Sequence, residues 1–184
     1  MVEVVVPELV VGAGVVLRML RAGDAGGLAD AYERNRDHLA HWDPVRPPAF
    51  FTEQGQAAEV DGALQACLAG LMLPLVLESG GEIVGRANLT GIARGALQGA
   101  SLGYWIDARY TGRGVMSASV AEVVRLARDE LALHRVEAST LPENAASQAV
   151  LQRNGFERIG FAPRYLEIAG RWQDHVLFQR ILHD

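Results

Sequence analysis

Two stretches carry residue types whose spacing suits chemistry. The first is Arg109-Tyr110-Thr111-Gly112-Arg113-Gly114, an Arg-x-x-Gly-x-Gly loop. The strand formers Tyr104, Trp105 and Ile106 lead into it and Asp107 breaks their run. After it, Met116, Val120, Val123, Ala127 and Leu131 recur at helical spacing. Gly112 and Gly114 permit a sharp turn and a close backbone approach. A helix entered through such a loop presents unpaired N–H groups and the positive end of its dipole, an anion site of the kind that takes a diphosphate. The loop lacks the Lys and Ser/Thr of a P-loop and the spacing of a dinucleotide fingerprint. The second stretch, residues 141–161, places Asn144 where a helix N-cap belongs and Ser147 one turn further on the same side.

The elements that must position these residues are expected to belong to one domain spanning 1–184. The net charge of −5 argues against broad nucleic-acid or anionic-membrane binding. All 17 basic residues are arginine, and a local cluster of them can still hold phosphate. Cys67 is the single cysteine, which excludes an intrachain disulfide and zinc-type Cys clusters. No metal site stands out. The apolar N-terminus carries Glu3, Pro7 and Glu8 without a basic region, so it does not read as a signal peptide, and no run reaches transmembrane length. The expected location is the cytoplasm.

Residues 15–19 read as the first strand. Asp24 is a candidate N-cap for a helix that buries Leu28, Ala31, Tyr32, Asn35 and Leu39. The proline-dense HLAHWDPVRPPAFFT excludes a regular element and suits a packed loop or the wall of a cleft. Thr52 can cap a second helix with Ala57, Val60, Leu64, Cys67 and Leu71 as its buried stripe. Strands at 73–78 and 82–89 turn at Ser79-Gly80-Gly81, with Pro74 predicting an edge strand or a position at the strand's very start. Further strands are expected at 100–106 and 134–140, then a short helix stopped at Asn154-Gly155. A long hairpin of 156–168 and 171–182 closes the chain around Ala169-Gly170, its last strand a candidate for pairing across a homodimer. Strands alternating with helices imply an α/β (α+β) fold, a mixed sheet flanked by helices.

The loop resembles the acetyl-CoA pyrophosphate loop of the GNAT N-acetyltransferases, Gln/Arg-x-x-Gly-x-Gly/Ala. With HRVEA at 134–138 and LPENAASQAVLQRNGFERIGF after it, the chain is similar to the RimJ/RimL branch, protein N-terminal acetyltransferases that modify ribosomal proteins. NRDHLAHWDPVRPPAFFT, LGYWIDARYTGRGVM and RYLEIAGRWQDHVLF extend the resemblance over roughly residues 15–182, which it implies as the core of the domain. It implies the GNAT fold, with a mostly antiparallel sheet, and acetyl-CoA as the acyl donor. Backbone amides of Arg113, Gly114, Val115 and Met116 would hold the diphosphate, with Tyr110, Thr111 and Gly112 shaping the loop and Arg109 and Arg113 adding charge. Trp105, Ile106 and Asp107 would end a strand that splays from its neighbour. The pantetheine arm would pair there like an added strand, and one N–H would face the thioester oxygen. Asn144 would touch the cofactor arm besides capping its helix. Ser147 would donate a proton or hydrogen bond to the leaving thiolate.

The resemblance leaves the general base open. Some RimL-type enzymes carry a glutamate near the end of the cofactor strand, and the corresponding Ser101 and Ala108 offer no carboxylate. Because an α-amine of pKa about 8 is roughly a tenth neutral at pH 7, a modest acceptor reached through water suffices. Asp43, Asp174 and His175 are candidates. His41, Trp42, Asp43, Arg46, Asn88, Tyr104, Tyr165 and Trp172 are candidates for an acceptor wall, where acidic and amide groups suit an ammonium and aromatic faces add cation–π contact. Cys67 falls in a helix stripe and reads as core, so transfer to the amine is direct. The expected acceptor is a protein N-terminal α-amine. A small-molecule amine acceptor, acyl-CoA binding without catalysis, and an interaction domain that uses the fold as a scaffold are the alternatives.

Overall fold

The computed structural model describes residues 6–183; the N-terminal stretch 1–5, Glu3 included, lies outside it. One sheet of eight strands forms the centre. In chain order these are β1 (Leu9–Gly12), β2 (Val15–Met19), β3 (Met72–Ser79), β4 (Glu82–Ala93), β5 (Gly99–Ile106), β6 (Arg135–Thr140), β7 (Glu157–Ile168) and β8 (Arg171–Ile181). Their spatial order is β1-β2-β3-β4-β5-β6-β8-β7. Every neighbouring pair is antiparallel except β5 and β6, which run parallel. The helices are α1 (Ala25–Arg34), α2 (Arg36–Leu39), α3 (Glu53–Leu68), α4 (Val115–Asp129) and α5 (Ala145–Arg153).

Alternation along β3 sorts the apolar residues into two cores, one on each face of the sheet. Leu73, Leu75 and Leu77 pack with Met116, Val120, Val123 and Ala127 of α4. Val76 turns the other way, toward Leu28, Ala31 and Tyr32 of α1 and Val60 and Ala63 of α3. Every predicted face residue of α4, and of the α1–α2 segment, is buried.

Several expectations are corrected. A strand, β1, precedes residues 15–19. Pro74 is the third residue of β3, and β3 lies between β2 and β4 rather than at an edge. The Pro74 carbonyl accepts from the Leu20 N–H at 3.0 Å, just past the end of β2. Its missing donor therefore falls where pairing with β2 runs out, which is why proline is tolerated inside this sheet. Asp24 occupies the N-cap position of α1 without capping it by its side chain. Its carboxylate takes two 2.8 Å hydrogen bonds from Arg18 and one of 2.7 Å from the Arg21 N–H. Thr52 does cap α3, accepting from the Gly55 N–H. The buried stripe of α3 is Gln56, Val60 and Ala63, whereas Leu71 is exposed beyond the helix end. The final strand β8 pairs with β7 along its length and with β6 over Val176–Ile181, which leaves Arg171–His175 without a β6 partner.

Candidate active site

β5 and β6 pair only over Gly99↔Arg135, Ala100↔Val136 and Ser101↔Glu137. Beyond Ser101 they part, and residues 102–106 face 138–141 across a cleft of about 700 Å³. Tyr110, Thr111, Gly112, Gly114, Val115 and Met116 line the same cleft, as do Asn144 and Ser147. The predicted phosphate loop, splayed strand and Asn-x-x-Ser turn thus meet in one place.

The splay leaves polar backbone free. The Asp107 N–H donates to the Val84 carbonyl on β4 at 2.8 Å. Strand alternation then turns Trp105 toward β4 as well, and Tyr104 and Ile106 toward the cleft. The approach to β4 is close: a Cβ on Gly85 would lie 2.6 Å from the Trp105 carbonyl oxygen, so only glycine fits there. At the loop, Gly114 is the N-cap of α4 with φ 78°, a left-handed conformation that disfavours side chains. A Cβ on Gly112 or Gly114 would meet nothing within 4 Å, so the space before the helix N-terminus is open. Thr140 Oγ1 on the opposite wall is buried without a hydrogen-bond partner. An open helix N-terminus, unpaired strand amides and an unsatisfied hydroxyl fit a long ligand with a diphosphate and an amide-bearing arm.

Asp107 and Arg109 have a different placement from the loop amides. Asp107 is 1% exposed. Its Oδ1 accepts from the Arg109 N–H at 2.9 Å and from Arg109 Nε at 3.1 Å. Its Oδ2 accepts from Arg34 Nε at 2.8 Å, Asn35 Nδ2 at 3.0 Å and Arg109 Nη2 at 3.0 Å. Burial opposes the charge, but these bonds from Arg109, Asn35 and Arg34 outweigh it and hold the carboxyl well below the usual range. Asn35 also accepts from the Ala108 N–H at 3.0 Å, so α1 is tied to the start of the glycine loop. The Arg109 guanidinium is spent on Asp107 and on Glu82 at 2.9 Å. Arg113 lies 5.5 Å over the Tyr110 ring, with no ion pair among the described residues.

Asn144 caps α5, its Oδ1 accepting from the Ser147 N–H at 3.0 Å, which leaves its NH₂ available to the cleft. Ser147 Oγ lies 2.8 Å from the Tyr104 hydroxyl, bridging the splay from α5 to β5. Burial pushes the Tyr104 phenol up to about 12, although the Ser147 contact pulls the other way, so it stays protonated at neutral pH.

A second cavity, of about 520 Å³, is lined by Tyr32, Asp43, Arg46, Phe50, Glu59, Arg86 and Asn88, together with Gly103, Tyr104 and Trp105. It shares Asp43, Gly103, Tyr104 and Trp105 with the first, so the two meet at β5. Burial raises the Asp43 carboxyl, partly offset by Arg46. Arg46 lies 4.7 Å over the Phe50 ring. Trp42 lines the first cleft, edge-on to His41, which reaches Glu143 at 3.7 Å. His175 is buried on that cleft, with Nδ1 3.1 Å from the Gln173 carbonyl. The remaining hairpin candidates lie apart from both linings. Asp174 accepts from the Arg164 N–H at 2.8 Å, Tyr165 lies against His175, and Trp172 is 63% exposed. Arg86, Glu59 and Gly103 escaped the sequence reading. The one signal for Arg86 was a charge inside the apolar run of β4.

Comparison with known proteins agrees with this geometry. The family model described as "Acetyltransferase (GNAT) domain" matches residues 15–157. The chain is 35% identical over 168 residues to the ribosomal protein uS5-alanine N-acetyltransferase of Escherichia coli, covering 88% of this chain and 84% of that protein. The crystal structure of a ribosomal-protein-S5-alanine acetyltransferase from Vibrio fischeri superposes with a TM-score of 0.90 at 31% identity, covering 94% of this chain and 96% of the other. Mycobacterium smegmatis RimJ, solved with CoA-disulfide, gives a TM-score of 0.86 at 34% identity, covering 91% and 81%. The splayed pair β5–β6, the glycine loop and these matches together establish that the chain belongs to the GNAT family of N-acetyltransferases, enzymes that use acetyl-CoA.

Proposed function

We propose that this enzyme transfers acetyl from acetyl-CoA directly to the α-amine of a protein N-terminus, with ribosomal proteins as the acceptor class and the cytoplasm as its location. The observation that carries the reading is the meeting of two cavities at Gly103 and Tyr104. One has the open helix N-terminus and free strand amides that suit the donor; the other has carboxylates and aromatic faces that suit an amine. Relatives named for acetylating the alanine of ribosomal protein uS5 support the choice of a protein amine over a small one.

Acetyl-CoA supplies a thioester, which an uncharged amine can attack without further activation. The N–H groups at the start of α4 hold the diphosphate end. Ile106 and Tyr104 N–H groups, facing the splay, hold the arm and stabilise charge developing on the acyl oxygen. Asp43, common to both cavities and raised by burial, accepts the ammonium proton. Tyr104 Oη, 3.1 Å from the Ser147 carbonyl to which it donates and 2.8 Å from Ser147 Oγ, positions the serine hydroxyl, whose proton serves the departing sulfur. A thiol of pKa about 8.5 leaves with little assistance, so this pair accelerates rather than enables the step.

Free-thiol release, with mass spectrometry of the peptide, tests the reading on Ala-, Ser- and Met-starting peptides beside small amines. Acetylation confined to the α-amine of peptides with a small first residue is expected. Turnover of small amines alone, or acetyl-CoA binding without turnover on any amine, would overturn it.

A further inference from the structure

Arg86 stands out in the acceptor cavity. It pairs in register with Val76 on β3 and Trp105 on β5, deep in the sheet, and is only 8% exposed. Among the described residues it has no carboxylate partner, and its Nε meets no acceptor. The Tyr32 phenol feels its charge and shares a side-chain hydrogen bond with it, and the same hydroxyl accepts from Trp105 Nε1 at 3.0 Å. By contrast Arg18, buried to a similar degree, is saturated by Asp24 and Glu78. A buried guanidinium is costly unless paired. Here it lines the cavity that meets the donor cleft at Tyr104, and Gly103, with no Cβ, leaves room beside it.

We infer that Arg86 binds the acceptor through the carbonyl oxygen of its first residue and so selects peptide N-termini over simple amines. This rests on the acceptor being a protein N-terminus. In such a chain the oxygen nearest the reacting amine is that carbonyl, and a guanidinium donates to it with charge-assisted hydrogen bonds. Asp43 at the shared mouth takes the ammonium end while Arg86, further in, takes the oxygen. An amine lacking the oxygen leaves the buried guanidinium short of an acceptor at Nε, the kind of situation in which binding sites discriminate most strongly.

The test compares an Ala-starting hexapeptide with the same peptide carrying a trans-alkene in place of its first amide. It is run on wild type, Arg86→Met and Arg86→Lys, with acetyl-CoA affinity by calorimetry and melting temperature alongside. Wild type is expected to prefer the amide by about 10- to 100-fold in kcat/KM, the range for hydrogen bonds to a charged group. Arg86→Met should erase the preference through a raised KM for the amide peptide, with acetyl-CoA affinity retained and the melting temperature not lowered; Arg86→Lys should fall between. Wild type treating the two peptides alike, or a variant keeping the preference, overturns the inference while leaving N-terminal acetylation intact. If Arg86→Met does not fold, the wild-type preference and the Lys variant still decide. Wild type acetylating neither peptide while acetylating small amines removes the N-terminal reading itself, and this inference with it.

Discussion

In the donor cleft the working groups are mostly backbone: the open N-terminus of α4, the loop through Gly112 and Gly114, and the amides that β5 frees where it leaves β6. In the acceptor cavity they are side chains drawn from α1, α3, β4 and the proline-rich loop, namely Tyr32, Glu59, Arg86 and Asp43. A backbone site is specified by conformation, so a few glycines and one strand ending determine it. A side-chain site is specified by which residues long-range packing brings together, and it can change acceptor without disturbing the fold.

Asp107 joins the two halves, and removing it is the severest way to break the comparison. Asp107→Ala should cost about 3–5 kcal/mol, because it strands Arg34 and Arg109 and removes the hydrogen bonds that Arg34 and Asn35 make to Asp107, leaving only the Ala108–Asn35 bond between this segment and the start of the glycine loop. Denaturant unfolding measures this. Since its folded pKa is depressed, its stabilisation is present above the ordinary carboxylate pKa of about 4 and is lost as pH falls from there toward the folded value. Asp107→Asn should flatten that acid slope.

Within the shared wall, Tyr104→Phe and Ser147→Ala should each lower kcat by about 10²-fold, the lower end for general acid catalysis. Because the hydroxyls are hydrogen-bonded at 2.8 Å, the double variant should lose little more than either single. Additive losses in steady-state kinetics would separate the two residues. On the donor side alone, Gly114→Val forces a branched side chain into φ 78° and should cost about 1–3 kcal/mol while weakening acetyl-CoA binding by calorimetry.

On the acceptor side, Asp43→Asn should lower kcat/KM at pH 7 by about tenfold, since roughly a tenth of an α-amine is neutral there without help. The raised folded pKa means that the Asp43 carboxyl favours the fold below its ordinary pKa and that this is lost as pH rises through the raised value. The Asn variant should therefore be at least as stable as wild type at pH 7, and its pH–rate profile should lose the acid limb due to Asp43.

The same contrast decides what the sequence reveals. Helical periodicity marked the buried face of α4, and Asn144 and the positive-φ loop glycines are local signals, readable within a few residues. Two partners of Asp107, Arg34 at the end of α1 and Asn35 just after it, lie 73 and 72 residues away, and no spacing rule reports them. The same holds for Arg109, whose guanidinium goes to Asp107 and Glu82, a register that only the folded sheet fixes. Trp172 and Tyr165 looked like wall residues by type, yet edge pairing of β7 and β8 turns them away from both cavities. Pro74 misled because the end of β2, which makes room for it, is a tertiary fact.

The central claim is that donor and acceptor occupy their cavities together and react directly across Tyr104. Initial-rate kinetics with acetyl-CoA and an Ala-starting peptide varied against each other test it most directly. Intersecting double-reciprocal lines, the mark of a ternary complex, are the result expected. Parallel lines, with acetyl retained on the protein in the absence of peptide, would contradict it.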